Sequence, residues 1–190
     1  MDKIKNQFRS KAITISIVQI TFYEHKNFSG RNYECTCDCA DLTCHLKSCN
    51  SIRVESGSFM IYEKLNYSGD QYYLRRGDYL DLGDWKGVID CVSSCRLISM
   101  ESGLFSMRLY ERIEFGGQML DLVDDCPSIT DRFHLDNIFS CHVFKGNWLF
   151  YEHPNYQGRM YLMRPGDYKR FSEWGGRSAR VGSIRRVMDY

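Results

Sequence analysis

The residues of this chain that are most able to do chemistry are its nine cysteines and five histidines. Five of the cysteines occur in one short run: Cys35, Cys37, Cys39, Cys44 and Cys49. Thiolates and imidazoles bind zinc, but this run has Cys-x-Cys-x-Cys spacing with only His45 nearby. It lacks the paired two-residue loops of a structural zinc finger. Alternation along a strand predicts that Cys35, Cys37 and Cys39 share one face. We expect reduced thiols, with at least one unpaired because the number is odd, rather than a metal centre.

Catalysis is the second chemistry to consider. His134 lies near Asp131 and Asp136, and His142 directly follows Cys141. A Cys–His pair requires only spatial proximity, so the sequence leaves such a pair open. None of these residues adjoins a nucleophile elbow, a Gly-rich phosphate loop or a metal-ligand spacing. The sequence therefore predicts no catalytic residue, no enzyme and no cofactor.

The elements that must position these residues are given by a repeat that occurs four times. Each copy contains Tyr-Glu, three variable residues, an aromatic residue, one further residue and Gly, and a Ser follows in an apolar stretch. The defining residues are Tyr23, Gly30 and Ser51; Tyr62, Gly69 and Ser94; Tyr110, Gly117 and Ser140; Tyr151, Gly158 and Ser183. A period of about forty residues indicates repeated structural units. The longer interval between the second and third copies groups them as two pairs.

Each copy predicts a folded β-hairpin. The Tyr-Glu end lies among aromatic and β-branched residues, which favour a strand. The Gly indicates positive φ or a close approach of another group. We expect the leading Tyr ring to lie on the bare Gly. We also expect the later Ser to bond a backbone group that the fold leaves unpaired.

The four motifs, each followed by its Ser, resemble the Greek key signature of the βγ-crystallins. The sequences LRRGDY at 74–79 and MRPGDY at 163–168, followed by Trp85 and Trp174, are similar to the γ-crystallins of the eye lens. The resemblance runs from about Ile20 to Tyr190. It implies an all-β chain with two domains, each a Greek-key β-sandwich built from two Greek key motifs.

The grouping of the repeats predicts the domain boundaries. We expect an N-terminal domain over 20–99, a linker over 100–104 and a C-terminal domain over 105–190. Residues 1–19 fall outside the family pattern and are expected to be disordered or an artefact of the gene model, although 12–19 have the character of a strand. Small domains bury only about two thirds of their unfolded surface, so mutual docking favours stability.

The resemblance also implies two sets of buried residues. The apolar patch between the domains corresponds to Met60, Tyr73 and Ile98 on one side and to Leu149, Leu162 and Val187 on the other. The buried tryptophans correspond to Trp85, Trp148 and Trp174. Phe59 occupies the position of a fourth tryptophan, and we expect its ring to fill most of that site.

Calcium is a ligand that the resemblance raises, because some members of the superfamily bind it. Their loops carry two Asn or Asp residues, two variable residues, a Ser or Thr, and then the Greek key Ser. The matching segments are 46–51, 89–94, 135–140 and 178–183, and each has lost oxygen ligands that Ca²⁺ requires. The best of them offers only Asp90, Ser93 and Ser94. We expect weak calcium binding or none.

Composition excludes two further classes of function. The chain has 25 basic and 24 acidic residues, a net charge of +1, and no charge runs, which argues against nucleic acid as a partner. The sequence contains no stretch of 18 apolar residues, so we expect no membrane span. What is abundant is polarisable material, with 27 aromatic residues, 9 Cys, 8 Met and 16 Arg against 9 Lys. Such groups raise the refractive index of a protein.

Together with the resemblance, this composition predicts a soluble, stable structural protein of the lens. It is expected to lie in the cytoplasm of lens fibre cells, mainly as a monomer with weak self-association and contacts with other crystallins. The alternatives are a calcium-binding βγ-crystallin module and a stress-type interaction protein outside the lens.

Overall fold

The predicted all-β class is confirmed by the structure, a computed structural model that describes residues 18–85, 91–99 and 103–188. The described residues contain one short helix, α1 (Ile129–Phe133), and no helix there is long and apolar enough to span a membrane. The strands of the first half are β1 (Gln19–His25), β2 (Ser29–Cys35), β3 (Ser51–Ser56), β4 (Ser58–Lys64), β5 (Ser68–Leu74), β6 (Gly77–Tyr79) and β7 (Ser94–Ile98). Those of the second half are β8 (Ser106–Tyr110), β9 (Met119–Leu122), β10 (Ser140–Lys145), β11 (Trp148–His153), β12 (Gln157–Met163), β13 (Gly166–Tyr168) and β14 (Ser183–Arg186).

The strands form four antiparallel sheets, two in each domain. The first domain contains the orders β2-β1-β3-β6 and β5-β4-β7, and the second contains β9-β8-β10-β13 and β12-β11-β14. The repeats exchange strands, because β6 of the second repeat pairs with β3 of the first, and β13 pairs with β10. In return, Cys39 pairs with Cys95, and Cys126 with Ile184. Each repeat of a pair therefore supplies a strand or bridge to the sheet of the other.

The predicted boundaries are only partly within the described residues. Strand β1 begins at Gln19, so the ordered first strand starts one residue before 20. Residues 1–17 of the predicted extension and 100–102 of the predicted linker lie outside the described residues. Their expected disorder and linker role therefore stay predictions.

Each domain has its own apolar core. Phe59 is fully buried at the start of β4, and Trp148 is fully buried at the equivalent start of β11, where its Nε1 donates to the Lys145 carbonyl at 3.0 Å. Trp174 is also buried, and its ring lies 5.5 Å from that of Phe150. The side chain of Trp85 lies outside what the structure describes, so its burial stays a prediction.

A buried serine ties each folded hairpin together. The Ser51 Oγ donates to the His25 carbonyl at 2.6 Å and accepts from the Phe28 N–H at 3.0 Å. The same two bonds recur from Ser94 to Lys64 (2.6 Å) and Tyr67 (3.0 Å), from Ser140 to Arg112 (2.6 Å) and Phe115 (3.0 Å), and from Ser183 to His153 (2.7 Å) and Tyr156 (2.9 Å). All four serines are fully buried. Each hydroxyl thus satisfies two backbone groups that the hairpin leaves without sheet partners.

The expected contact between the Tyr ring and the Gly is wrong. In the first repeat Tyr23 packs against Phe28, with ring centroids 5.5 Å apart, and the His25 ring covers Gly30. The reason is that the chain takes positive φ at Asn27 and Phe28 as well as at Gly30. This turn brings the aromatic residue, rather than the Gly, back onto the Tyr. The corresponding ring pairs occur in the other three repeats.

We expect Ser94→Ala to lower the free energy of unfolding by roughly 1–3 kcal/mol, because it leaves the Lys64 carbonyl and the Tyr67 N–H without their partner in a partly buried place. Urea unfolding measures the change. The control is Ser68→Ala, which removes a hydroxyl that donates to the Leu65 carbonyl at an exposed position. Equal losses in the two variants would contradict a special role for the buried serine.

Candidate functional site at the domain interface

An apolar cluster joins the two domains. It contains all six residues that the resemblance assigns to the interface: Met60, Tyr73, Ile98, Leu149, Leu162 and Val187. Five of them are buried and Tyr73 is partly buried. The cluster lies where β5 of the first domain meets β12 of the second. Burial of large apolar side chains is favourable in proportion to the area removed from water, so this contact is the main attraction between the domains.

Two tyrosines of the repeats also belong to this cluster, which the sequence did not indicate. Tyr62 and Tyr151 are buried there, and each ring lies against the aromatic ring of its own hairpin. The ring centroids are 5.8 Å apart for Tyr62 and Tyr67 and 5.7 Å apart for Tyr151 and Tyr156. Burial raises the pKa of Tyr151 to about 12. In the second and fourth repeats the motif therefore serves both the hairpin and the docking of the domains.

Two side chains cross the interface to bond backbone N–H groups of the facing strand. The Gln71 Oε1 accepts from the Leu162 N–H at 3.0 Å, and its Nε2 donates to the Trp174 carbonyl at 3.1 Å. In the opposite direction, the Met160 Sδ accepts from the Tyr73 N–H at 3.2 Å. Gln71 and Met160 hold equivalent registers in their domains, opposite Tyr62 and Tyr151. The two contacts thus form a reciprocal pair about a pseudo-twofold axis.

Ion pairs also link the two domains. The Asp38 carboxylate binds the Arg164 guanidinium at 3.1 and 3.2 Å and also accepts from the Leu97 N–H at 2.8 Å. Asp70 binds Arg177 at 3.0 Å. Exposed ion pairs contribute little stability, so we assign them a role in orienting the domains. Nothing in the sequence pattern connects partners that are this far apart along the chain.

The thiols do not form the predicted row on one face of a strand. Strand β2 ends at Cys35, so Cys37 is exposed on the following turn, and Cys39 lies in the bridge to Cys95. The prediction was wrong because strand alternation does not continue past the end of β2. All nine cysteines are free. The Cys95 thiol donates to the Cys35 sulfur at 3.9 Å, and this hydrogen bond together with burial raises the pKa of Cys95.

The candidate catalytic residues are not brought together. Cys141 and His142 are neighbours on β10 and so face opposite sides of the sheet. Cys141 lies in the core, where burial raises the pKa of its thiol. His142 lies on the outer face, where its Nδ1 is 2.6 Å from the Asp167 carboxylate and its ring stacks on Phe115. His134 occupies the C-terminal cap of α1.

Two of the loops that match the calcium pattern direct polar groups to other partners. The Asn50 amide and the Ser48 hydroxyl both donate to the Glu24 carbonyl. Asp136 accepts from Thr130 Oγ1 at 2.9 Å, and Arg180 lines the same cleft of about 420 Å³. A basic residue that lines the cleft disfavours a cation there. Ile89 and Asp90 lie outside the described residues. Within the described ranges no three His, Cys, Asp or Glu side chains converge on a possible metal position.

Comparison with known proteins assigns the chain to a family. The Beta/Gamma crystallin family model matches residues 19–98 and 106–187. The chain belongs to the βγ-crystallin family. It is 56% identical over 171 residues to Gamma-crystallin S-1 of Chiloscyllium indicum, covering 90% of this chain and 99% of that protein. It is equally identical over 171 residues to Gamma-crystallin B of Homo sapiens, covering 90% and 98%.

A solved βγ-crystallin from an archaeon aligns with 45% of this chain and all of its own at 30% identity, with a TM-score of 0.40. The γ-crystallin relatives therefore carry the assignment. Members of this family in the lens are structural proteins rather than enzymes, and the chain shares that class.

The interface should respond strongly to a buried charge. Met60→Glu and Leu162→Asp each place an unpaired carboxylate in the apolar cluster, and we expect each to lower the free energy of unfolding by about 2–4 kcal/mol. Chemical denaturation measures this. Met119→Glu at a position that is 58% exposed is the matched control and should have little effect. Unchanged unfolding midpoints in both interface variants would exclude the proposed docking role.

Proposed function

We propose that this protein is a structural constituent of the eye lens and acts through its concentration, stability and refractive index, without a substrate. The observation that carries the proposal is the similarity to γ-crystallins over 90% of the chain, joined to a double Greek-key architecture in each domain. Detection of the protein in lens fibre cells, and its absence from other tissues, is the test. Expression confined to another tissue would favour the stress-type alternative.

The way arginines are held supports a refractive role. In three repeats the residue two places after the buried serine is an Arg whose guanidinium covers the aromatic ring of the hairpin: Arg53 over Phe28 at 4.1 Å, Arg96 over Tyr67 at 4.0 Å and Arg185 over Tyr156 at 5.1 Å. In the third repeat His142 takes this place over Phe115 at 3.9 Å. A planar guanidinium stacks on a ring better than an ammonium does, which gives the excess of Arg over Lys a structural use. In each repeat two polarisable groups are thus held in contact with each other.

We further propose that the protein is mainly a monomer in the cytoplasm of lens fibre cells, with weak contacts to itself and to other crystallins. The apolar cluster supports a monomer, because the second domain of the same chain already covers it. Sedimentation velocity at increasing concentration tests this proposal. A stable dimer at micromolar concentration would contradict it.

A calcium titration distinguishes the lens protein from the alternative, a calcium-binding βγ-crystallin module. We expect calorimetric titration to give an affinity in the millimolar range or weaker, because Arg180 lines the cleft near Asp136, the Asn50 amide is bonded to the Glu24 carbonyl, and each of the four loops has lost oxygen ligands in its sequence. Addition of a chelator should leave the melting temperature unchanged. Micromolar binding accompanied by a rise in melting temperature would promote the calcium-binding module.

Oxidation should produce disulfide-linked dimers through the three exposed thiols, Cys37, Cys44 and Cys91. The neighbouring Asp41 raises the pKa of Cys44, and the neighbouring Cys35 raises that of Cys37, so the thiolate fraction at neutral pH is low and dimer formation should accelerate as the pH rises. Non-reducing gels of the Cys37→Ser, Cys44→Ser, Cys91→Ser triple variant should lack the dimer band. Cys141→Ser removes a buried thiol and should leave the band intact.

A further inference from the structure

The reciprocal contact across the interface is chemically unequal on its two sides. Gln71 supplies an amide oxygen to the Leu162 N–H, whereas Met160, at the equivalent register, supplies a thioether sulfur to the Tyr73 N–H at 3.2 Å. A thioether is a weak acceptor, and unlike an amide it can be oxidised. One half of the pair is therefore inert towards oxidants and the other is not.

Met160 can be reached by a small oxidant. It is partly buried at the margin of the apolar cluster, whereas Met60, Met107 and Met163 are at most 1% exposed. Met119, on the edge strand β9, is 58% exposed and lies outside the interface cluster. Among the methionines of the interface cluster, Met160 is thus the accessible one.

We propose that Met160 is an oxidation site that controls the docking of the two domains. The oxidant is a hydroperoxide such as hydrogen peroxide. The Met160 sulfur attacks the peroxide, the O–O bond breaks, one oxygen is bonded to sulfur as the sulfoxide, and water leaves. The sulfur loses two electrons and the peroxide gains them.

The sulfoxide disturbs the contact because the sulfur already touches its partner. An N–H···O bond needs about 2.9 Å between its heavy atoms, so an oxygen added on the side of Tyr73 forces the sulfur away from its position 3.2 Å from that nitrogen. An oxygen added on the other side puts a strong dipole beside the apolar cluster. Either way β5 and β12 separate or the Tyr73 N–H loses its present partner.

The test uses the full chain, treated with hydrogen peroxide and then with dithiothreitol, which reverses disulfides but leaves methionine sulfoxide. Peptide mass spectrometry locates the added oxygen, guanidinium unfolding gives the midpoint, and the amide resonance of Tyr73 reports on the contact. We expect oxygen at Met160, a lower midpoint and a shifted Tyr73 resonance. Methionine sulfoxide reductase should restore all three.

Two variants separate this site from general oxidation. Met160→Gln copies the amide of Gln71 and should keep its midpoint after peroxide, while Met119→Gln should respond as the parent chain does. Should Met160→Gln fold poorly, Met160→Leu takes its place. Three results would overturn the proposal: Met160 unmodified when Met119 is oxidised, Met160 oxidised with no change in midpoint or resonance, or a Met160 variant that is destabilised as much as the parent.

Discussion

The rest of this structure depends on one buried hydroxyl in each repeat. A hairpin that folds over onto itself leaves a carbonyl and an N–H without sheet partners, and both are bonded by the serine buried beneath the hairpin. The serine supplies a donor and an acceptor from one atom at 2.6–3.0 Å, as Ser51 does. With the hairpin fixed, the residue two places later, Arg53, lies over the hairpin's own aromatic ring. The surface stacking therefore follows from the buried bond.

The exchange of strands extends this local constraint to the whole domain. Because β6 completes the sheet of the first repeat, the hairpins of both repeats must be formed before either sheet is complete. The second domain has the same arrangement through β13. The sheets that contain β4 and β11 then present Met60 and Leu149, which both belong to the apolar cluster at the interface. Docking thus uses apolar faces that each domain creates only when it is fully folded.

The parts predictable from sequence were those fixed by neighbours along the chain. Four copies of one motif predicted the all-β class, and the resemblance to the γ-crystallins predicted which six residues lie at the interface. The cover over Gly30 was mispredicted, because the pattern does not show that Asn27 and Phe28 also take positive φ. No sequence pattern predicted the hydrogen bonds of Gln71 and Met160, because their partners are remote along the chain and meet only when β5 lies against β12.

The four repeats of this chain distinguish positions where the backbone geometry permits one residue type from positions where several residue types make the same contact. The serine and the glycine are the same in all four repeats, because only a short hydroxyl reaches both backbone groups and the glycine takes a φ of about +80°, as at Gly30, which residues with a side chain rarely adopt. Where the need is to cover a ring, Arg53 and His142 both serve. A structural protein of this kind has no reacting atoms to position. Its function then depends on a fold in which the hairpin backbone groups are bonded and the aromatic rings are covered. A substitution fits this fold where the new side chain makes the same contact, as His142 does in place of an arginine.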